Sequence, residues 1–88
     1  MPVESQIQSA VIDFARKNGW YTRRLEWIGR VGAPDVFAAR NGIILLIEFK
    51  RPGGKLSPGQ VAEHALLYKH GIRVYVVDNI EDGYAYFR

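Results

Sequence analysis

The apolar positions in the first forty residues change from a helical to a strand period. Over residues 4–18 they recur every three or four positions, and Gly19 follows where a left-handed cap residue belongs. The next segment, WYTRRLEW at 20–27, is rich in aromatics and short enough for a strand. Regular structure is then interrupted at Gly29, Gly32 and Pro34. The pattern predicts a first helix, a first strand and a turn of the chain after it.

Two apolar runs, Val36–Arg40 and Ile43–Arg51, flank the dipeptide Asn41-Gly42. Asn-Gly between such runs is a strong signal for a two-residue hairpin, because both positions tolerate a positive φ. We therefore predict two antiparallel strands joined by a tight turn. A flexible basic loop, RPGGKL at 51–56, follows the second strand.

A second helix is predicted to begin after Ser57. Ser57 suits the N-cap, Pro58 the first helical position and Gln60 the reciprocal side-chain bond of a capping box. The helix is expected to run to about His70 and to end at Gly71. We expect it to bury some of its apolar residues, which are Val61, Ala62, Ala65, Leu66 and Tyr68.

The C-terminal part is predicted to form two further strands. Ile72–Val77 is rich in β-branched residues, and Tyr84–Phe87 is read as a strand after a turn near Asp82-Gly83. A strand, helix, strand passage such as 43–77 most simply forms a parallel right-handed crossover. The predicted order is α, β, β, β, α, β, β, in one α/β domain over residues 1–88. Helices are expected to flank a mixed central sheet.

Length and composition describe an ordinary small globular protein. The 88 residues are 48% hydrophobic and 24% charged, which is far from the composition of a disordered chain. A domain of this size buries only about 60% of its unfolded surface, so contact with a second subunit would add to its stability. With no cysteine, a disulfide framework and a thiolate zinc site are excluded. The longest apolar run is too short to span a bilayer and no signal peptide is visible, so we expect a soluble intracellular protein.

Positive charge is concentrated in one part of the chain. The net charge is +3, but residues 16–55 contain nine Lys or Arg against three acids, and the remainder is acidic. This asymmetry favours a polyanionic partner. A merely solvated basic surface is the alternative that charge alone leaves open.

Two acidic residues are predicted to meet across the hairpin. If Asn41-Gly42 forms the turn, the register places Asp35 directly opposite Glu48, and like charges at such a position destabilise a sheet. Side chains alternate along a strand, so Lys50 lies on the same face as Glu48, about 7 Å away. A paired Asp and Glu suits a hard divalent cation with oxygen ligands.

A plain structural role is the alternative for the same residues. Asp35 can cap the turn after Pro34, while Glu48 and Lys50 form a partly exposed pair across the strands. The two carboxylates alone favour this interpretation. Lys50 and the surrounding arginines favour the metal site.

The order and spacing of these residues resemble a known signature. Pro34-Asp35 followed by Glu48-Phe49-Lys50 is similar to the signature of the PD-(D/E)xK nuclease superfamily. More narrowly, GAPD at 32–35, IEFK at 47–50 and LSPGQ at 56–60 resemble the VRR-NUC family, which occurs alone in phages and within larger repair nucleases. The resemblance covers nearly the whole chain and implies a restriction-endonuclease-like αβββαβ core.

The resemblance also implies roles for individual residues. Asp35 and Glu48, with the backbone carbonyl of Phe49, would bind Mg²⁺ or Mn²⁺. Lys50 would orient or activate the attacking water and stabilise charge on the phosphorane. Physical chemistry is consistent with these roles, because a divalent cation polarises a phosphoryl oxygen and a fixed cation stabilises developing charge.

Two further residues match the family pattern and also have ordinary structural explanations. Glu4 corresponds to an acidic residue of the first helix that joins the metal site, but a Glu in a first helical turn is favourable by itself. Gln60 corresponds to a glutamine near the metal, but its capping-box role is a complete alternative. His64 and His70 are assigned no chemistry. Basic residues that are candidate phosphate contacts are Arg23, Arg24, Arg30, Arg51 and Lys55.

The implied function is a metal-dependent DNA endonuclease. By its resemblance to stand-alone family members that work as homodimers on branched DNA such as four-way (Holliday) junctions, we expect a homodimer with such a substrate. We expect it to act in the cytoplasm of a bacterial or phage-infected host cell. The alternative is a catalytically silent nucleic-acid-binding module, or a nuclease subunit that requires a partner.

Overall fold

The computed structural model describes residues 2–88. Over this range the chain forms a four-stranded sheet and three helices, with the sheet in the order β1-β2-β3-β4. The first two strand pairs are antiparallel and β3 pairs with β4 in parallel, so the predicted mixed α/β sheet and its αβββαβ order are confirmed. The elements are α1 Glu4–Lys17, β1 Tyr21–Arg24, β2 Val36–Arg40, β3 Ile43–Phe49, α2 Pro58–Lys69, β4 Val74–Val77 and α3 Ile80–Tyr86.

The central hairpin has the register that its turn predicts. Asn41 and Gly42 have φ angles of 52° and 79°, as a type I′ turn requires, and Arg40 pairs with Ile43. The first helix, predicted from its apolar spacing, and the second, predicted from its capping box, begin where expected. The predicted strands at 20–27, 43–51 and 72–77 are longer than the observed β1, β3 and β4.

The two faces of the sheet differ. One face packs against α1 and α3 around a core that includes Ile7, Val11, Ile47 and Phe49. The other face carries Glu48 and is partly covered by α2. The sheet therefore lies between the Glu48 side chain and the apolar core.

The prediction of a last strand at Tyr84–Phe87 is wrong. Residues 80–86 form α3, whose N-cap Asn79 accepts a hydrogen bond from the Asp82 amide at 2.8 Å. Gly83 is not a turn residue but a buried contact with α1, since a Cβ there would collide with Val11. Of the aromatic residues that suggested a strand, Tyr84 stacks on Phe14 of α1 at 4.2 Å, whereas Tyr86 packs against Tyr75 and Phe87 against Trp20.

The prediction that α2 buries its apolar residues is also wrong for the single chain. The buried residue of α2 is Glu63, and the side facing the sheet presents Gln60 and His64 to Glu48. The apolar residues that were expected to be buried are exposed instead, and these are Val61, Ala62, Ala65, Leu66 and Tyr68. The polar side of α2 faces inward because it contacts an acidic site, which leaves the apolar side in solvent.

No helix within residues 2–88 is both long and apolar enough to cross a membrane.

Candidate functional site

Asp35 and Glu48 meet at the end of the hairpin opposite the turn. The Asp35 amide donates to the Ile47 carbonyl at 2.9 Å, just beyond Val36–Ile47, the last pair of the β2–β3 register, and Asp35 lies beside Glu48. The Asp35 Oδ2 atom accepts a hydrogen bond from the Phe49 amide at 2.7 Å. Asp35 is therefore held by β3 itself, and Glu48, only 1% exposed, is held beside it.

Glu4 joins this pair from the first residue of α1. One carboxylate oxygen from each of Glu4, Asp35 and Glu48 lies within 4.8 Å of the others. Ile7 and Val11, both fully buried, anchor α1 to the sheet and so bring its N-terminus to this position. Three carboxylates at this spacing fit a hard divalent cation, which takes oxygen ligands.

The electrostatics of the site show how unfavourable the bare acid cluster is. Burial raises the pKa of Glu48 to about 8, assisted by its hydrogen bond with Asp35 and by the Asp35 charge, while Lys50 opposes the shift. At neutral pH the Glu48 carboxyl therefore keeps its proton in the metal-free site. A divalent cation between Glu48 and Asp35 would replace that proton.

Gln60 both completes the capping box and contacts the acid cluster, so its two predicted roles are compatible, and its role at the metal stays a prediction. Its Oε1 atom accepts from the Ser57 amide at 2.9 Å, while Ser57 Oγ accepts from the Gln60 amide at 3.2 Å, which completes a capping box. Its Nε2 atom donates to Glu48 Oε2 at 3.1 Å. One side chain thus joins the start of α2 to the acid cluster.

His64 is a site residue that the sequence did not indicate. Its Nε2 atom lies 3.7 Å from Glu48 Oε1. Burial lowers the pKa of His64, against the opposing charges of Asp35 and Glu63. The available signal was its position four residues after Gln60, which puts both side chains on one face of α2.

Glu63 was also missed, and it attaches the loop before β2 to α2. Its carboxylate accepts from Trp27 Nε1 at 2.8 Å and from Arg30 Nη2 at 2.6 Å. The bond with Arg30 lowers the pKa of Glu63, with a smaller effect from Trp27. Gly32, at φ +90°, lies so close to Gly59 that no side chain fits. The loop that leads to Asp35 is therefore fixed against the helix that carries Gln60.

Lys50 follows β3 directly and is half-buried. Its amide donates to the Val77 carbonyl at 2.9 Å, so β4 holds its backbone in place. Its positive charge opposes the rise in the pKa of Glu48 and adds to the fall in the pKa of His64. The predicted use of the Phe49 carbonyl as a ligand stays a prediction.

The predicted phosphate contacts do not form one patch. Arg51 lines a surface pocket with Glu4, next to the acid cluster, and Lys55 is exposed in the same basic loop. Arg23 shares the sheet face of Glu48 by alternation, but Arg24 points to the other face, beside α1. Arg30 is paired with Glu63. All five remain predictions as DNA contacts.

The fold and the site define a class. A mixed sheet whose hairpin brings an Asp, a Glu and a Lys together beside a helix N-terminus is the arrangement of the PD-(D/E)xK superfamily. Residues 26–79 match the family model of the VRR-NUC domain. The chain belongs to the VRR-NUC family of nucleases.

Two known proteins resemble the chain over most of its length. A protein named "Putative nuclease p44", from Acyrthosiphon pisum secondary endosymbiont phage 1, is 38% identical over 77 residues, which are 86% of this chain and 83% of the relative. A solved structure described as a VRR_NUC domain superposes with a TM-score of 0.83 at 30% identity, covering 91% of this chain and 88% of the other. Sequence and fold therefore agree on the family.

Proposed function

We propose that this protein is an endonuclease that hydrolyses DNA phosphodiester bonds with Mg²⁺ or Mn²⁺. The carrying observation is that Glu4, Asp35 and Glu48, far apart in sequence, bring carboxylate oxygens together beside Lys50. Such a cluster is costly without a cation, as the raised pKa of Glu48 shows. Family membership supports nuclease chemistry, and Asp35, Glu48 and Lys50 lie within the matched residues 26–79.

Each residue has a separate task in this proposal. The cation, when bound, supplies Lewis acidity toward the phosphate and lowers the pKa of nearby water. Glu4, Asp35 and Glu48 would hold it, and Asp35 is oriented by the Phe49 amide. Lys50 places its ammonium next to the acids, where it orients the attacking water and stabilises charge that develops on the phosphate. Arg51 and Lys55 hold the DNA backbone by charge.

The test is single-turnover cleavage of end-labelled DNA with Lys50→Ala. We expect metal-dependent cutting by the wild type, none in EDTA, and a loss of rate of about 100-fold or more in the variant. Lys50 is half-buried and its β4 contact is through the backbone, so the fold should be retained. Lys69→Ala, at the far end of α2, is the matched control and should cut normally.

Cleavage by Lys50→Ala at the wild-type rate would contradict the proposal. Tight, salt-sensitive binding with no cutting of any DNA or RNA, in Mg²⁺ or Mn²⁺, would favour a silent binding module or a nuclease subunit that needs a partner.

We further propose a homodimer that acts on branched DNA such as four-way junctions. The support is the outward side of α2, where Val61, Ala65 and Tyr68 follow at helical spacing and are all exposed. Val31 and Leu66 add apolar surface nearby. A small soluble chain rarely leaves such a stripe in water, and a two-fold axis through it would set two sites against two strands.

Light scattering after gel filtration tests the dimer. The wild type should have the mass of two chains, while Ala65→Glu should be monomeric. The variant should lose paired incision of a junction but still cut single strands (nicking). Asp13→Glu, on α1, is a control that leaves the α2 surface unchanged. A wild type that is monomeric at micromolar concentration would contradict both the proposed dimer and the proposed paired incision. The relative from a phage supports the cytoplasm of a bacterial or phage-infected cell as the place of action.

A further inference from the structure

Helix α2 presents one polar side chain to each oxygen of Glu48. Gln60 Nε2 donates to Oε2 at 3.1 Å. His64, one turn later on the same face, brings its Nε2 atom to 3.7 Å from Oε1. The two contacts reach different oxygens of the carboxylate, but only the first is a hydrogen bond.

The second contact joins two atoms that lack other partners. Within residues 2–88 neither His64 Nε2 nor Glu48 Oε1 has a hydrogen bond, and the side chains are 12% and 1% exposed. Leaving buried polar atoms unpaired costs free energy, so native proteins rarely do it without a reason. Here the two unpaired atoms face each other, and a shortening of roughly 0.5–1 Å makes them a hydrogen bond.

Helix α2 is fixed in place by contacts at its first turn and at its middle. The capping box fixes its first turn, and Glu63 attaches its middle to Trp27 and Arg30. The His64 backbone lies between these two attachments and the end of the helix. Closure of the contact is therefore expected from the side chains of His64 and Glu48, with α2 held in place.

We propose that His64 is a positioning residue that donates its Nε2–H to Glu48 Oε1 when Glu48 binds the catalytic cation. With Gln60 on the other oxygen, each oxygen of the carboxylate then accepts one hydrogen bond and would keep a lone pair for the cation. Partners of this kind fix the orientation of a ligand and raise metal affinity. This inference rests on the proposed metal-dependent function.

The experiment measures Mn²⁺ affinity by calorimetry, with no DNA present. His64→Phe keeps the ring and removes the donor, and we expect it to weaken Mn²⁺ binding about tenfold or more. His64→Gln restores a side-chain N–H donor and should stay within about threefold of the wild type. His70→Phe, at the exposed C-cap of α2, is the matched control and should bind as the wild type does. Circular dichroism verifies folding of each variant.

The outcomes separate this inference from the function on which it rests. A wild type that binds no Mn²⁺ would overturn both. A wild type that binds Mn²⁺ while His64→Phe binds equally well would overturn only the role of His64, and so would an equal loss in His64→Gln.

A second measurement uses the unmodified protein. Long-range ¹H–¹⁵N spectra of the His64 ring, recorded while Mg²⁺ is added, should show the Nε2–H tautomer and a downfield shift of its proton as the bond forms. Ring signals that do not change at saturating Mg²⁺ would overturn the proposal even if the variants failed to fold.

Discussion

Glu48 is an acid whose ordinary ionisation is blocked by its surroundings. Burial raises its pKa to about 8, and Asp35 adds to the effect through a hydrogen bond and its charge. A cation that binds here must displace a proton throughout the neutral range. The same residue therefore links metal binding, folding and pH.

Metal affinity should consequently depend on pH. Below pH 8 the metal-free site holds the proton that the cation must displace. The apparent Mn²⁺ affinity should therefore fall by about tenfold for each unit by which the pH is lowered. Calorimetry between pH 6 and pH 9, in buffers of different ionisation enthalpy, measures both the affinity and the released proton. An affinity that does not vary over this range would contradict the assignment.

The stability of the metal-free protein should change in the opposite direction. Folded Glu48 keeps its proton up to about pH 8, whereas in the unfolded chain it ionises near pH 4.5. The folded state thus holds more protons between these values, and the free energy of unfolding falls as the pH rises through them. Thermal melts in EDTA should show this slope in the wild type and not in Glu48→Gln.

At the scale of the elements, α2 combines a cap and a site contact that two variants can separate. Ser57→Ala removes the cap acceptor, which should cost about 1 kcal/mol of stability and leave cleavage unchanged. Gln60→Ala removes half of the capping box and also the bond to Glu48, so we expect destabilisation together with about tenfold slower cleavage. Urea unfolding and single-turnover rates measure the two effects. Equal rates in both variants would show that Gln60 serves only as a cap.

The packing of α3 on α1 depends on the absence of a side chain at Gly83. In an exposed helix, Gly→Ala stabilises by about 1 kcal/mol, but here the added Cβ meets Val11. Gly83→Ala should therefore destabilise by about 1–3 kcal/mol, as overpacking does. Val11→Ala should offset part of that loss, and a double-mutant cycle measures the coupling. Two losses that simply add would contradict the contact.

At the scale of the whole molecule, the charge asymmetry predicts how DNA binding depends on salt. Arg51 and Lys55 lie in the loop next to the acid cluster, whereas Arg73 stacks over Tyr75 before β4. Arg51→Ala should weaken binding to every DNA sequence and lower the slope of log affinity against log salt by about 1. Arg73→Ala is the control. Equal slopes in the two variants would place the DNA elsewhere on the surface.

Local chemistry explains what the sequence alone determined. Asn41-Gly42 strongly favours a two-residue hairpin turn, and that turn fixes the β2–β3 register as far as Val36 and Ile47, the neighbours of Asp35 and Glu48. Strand alternation then places Lys50 on the same face. The cap at Ser57 likewise starts α2 through neighbouring residues. The family signature, the central hairpin and the paired acids were predictable because each depends on contacts within a few residues or across one tight turn.

Contacts between distant segments decided the rest. Residues 80–86 form a helix although their aromatics suggested a strand, because Gly83 and Tyr84 pack on α1. The inward side of α2 is its polar side, because Glu63 reaches Trp27 and Arg30. His64 gained its place beside Glu48 in the same way, through the packing of α2 on the sheet. Such pairings join residues far apart in the chain, and no local period of apolar positions records them.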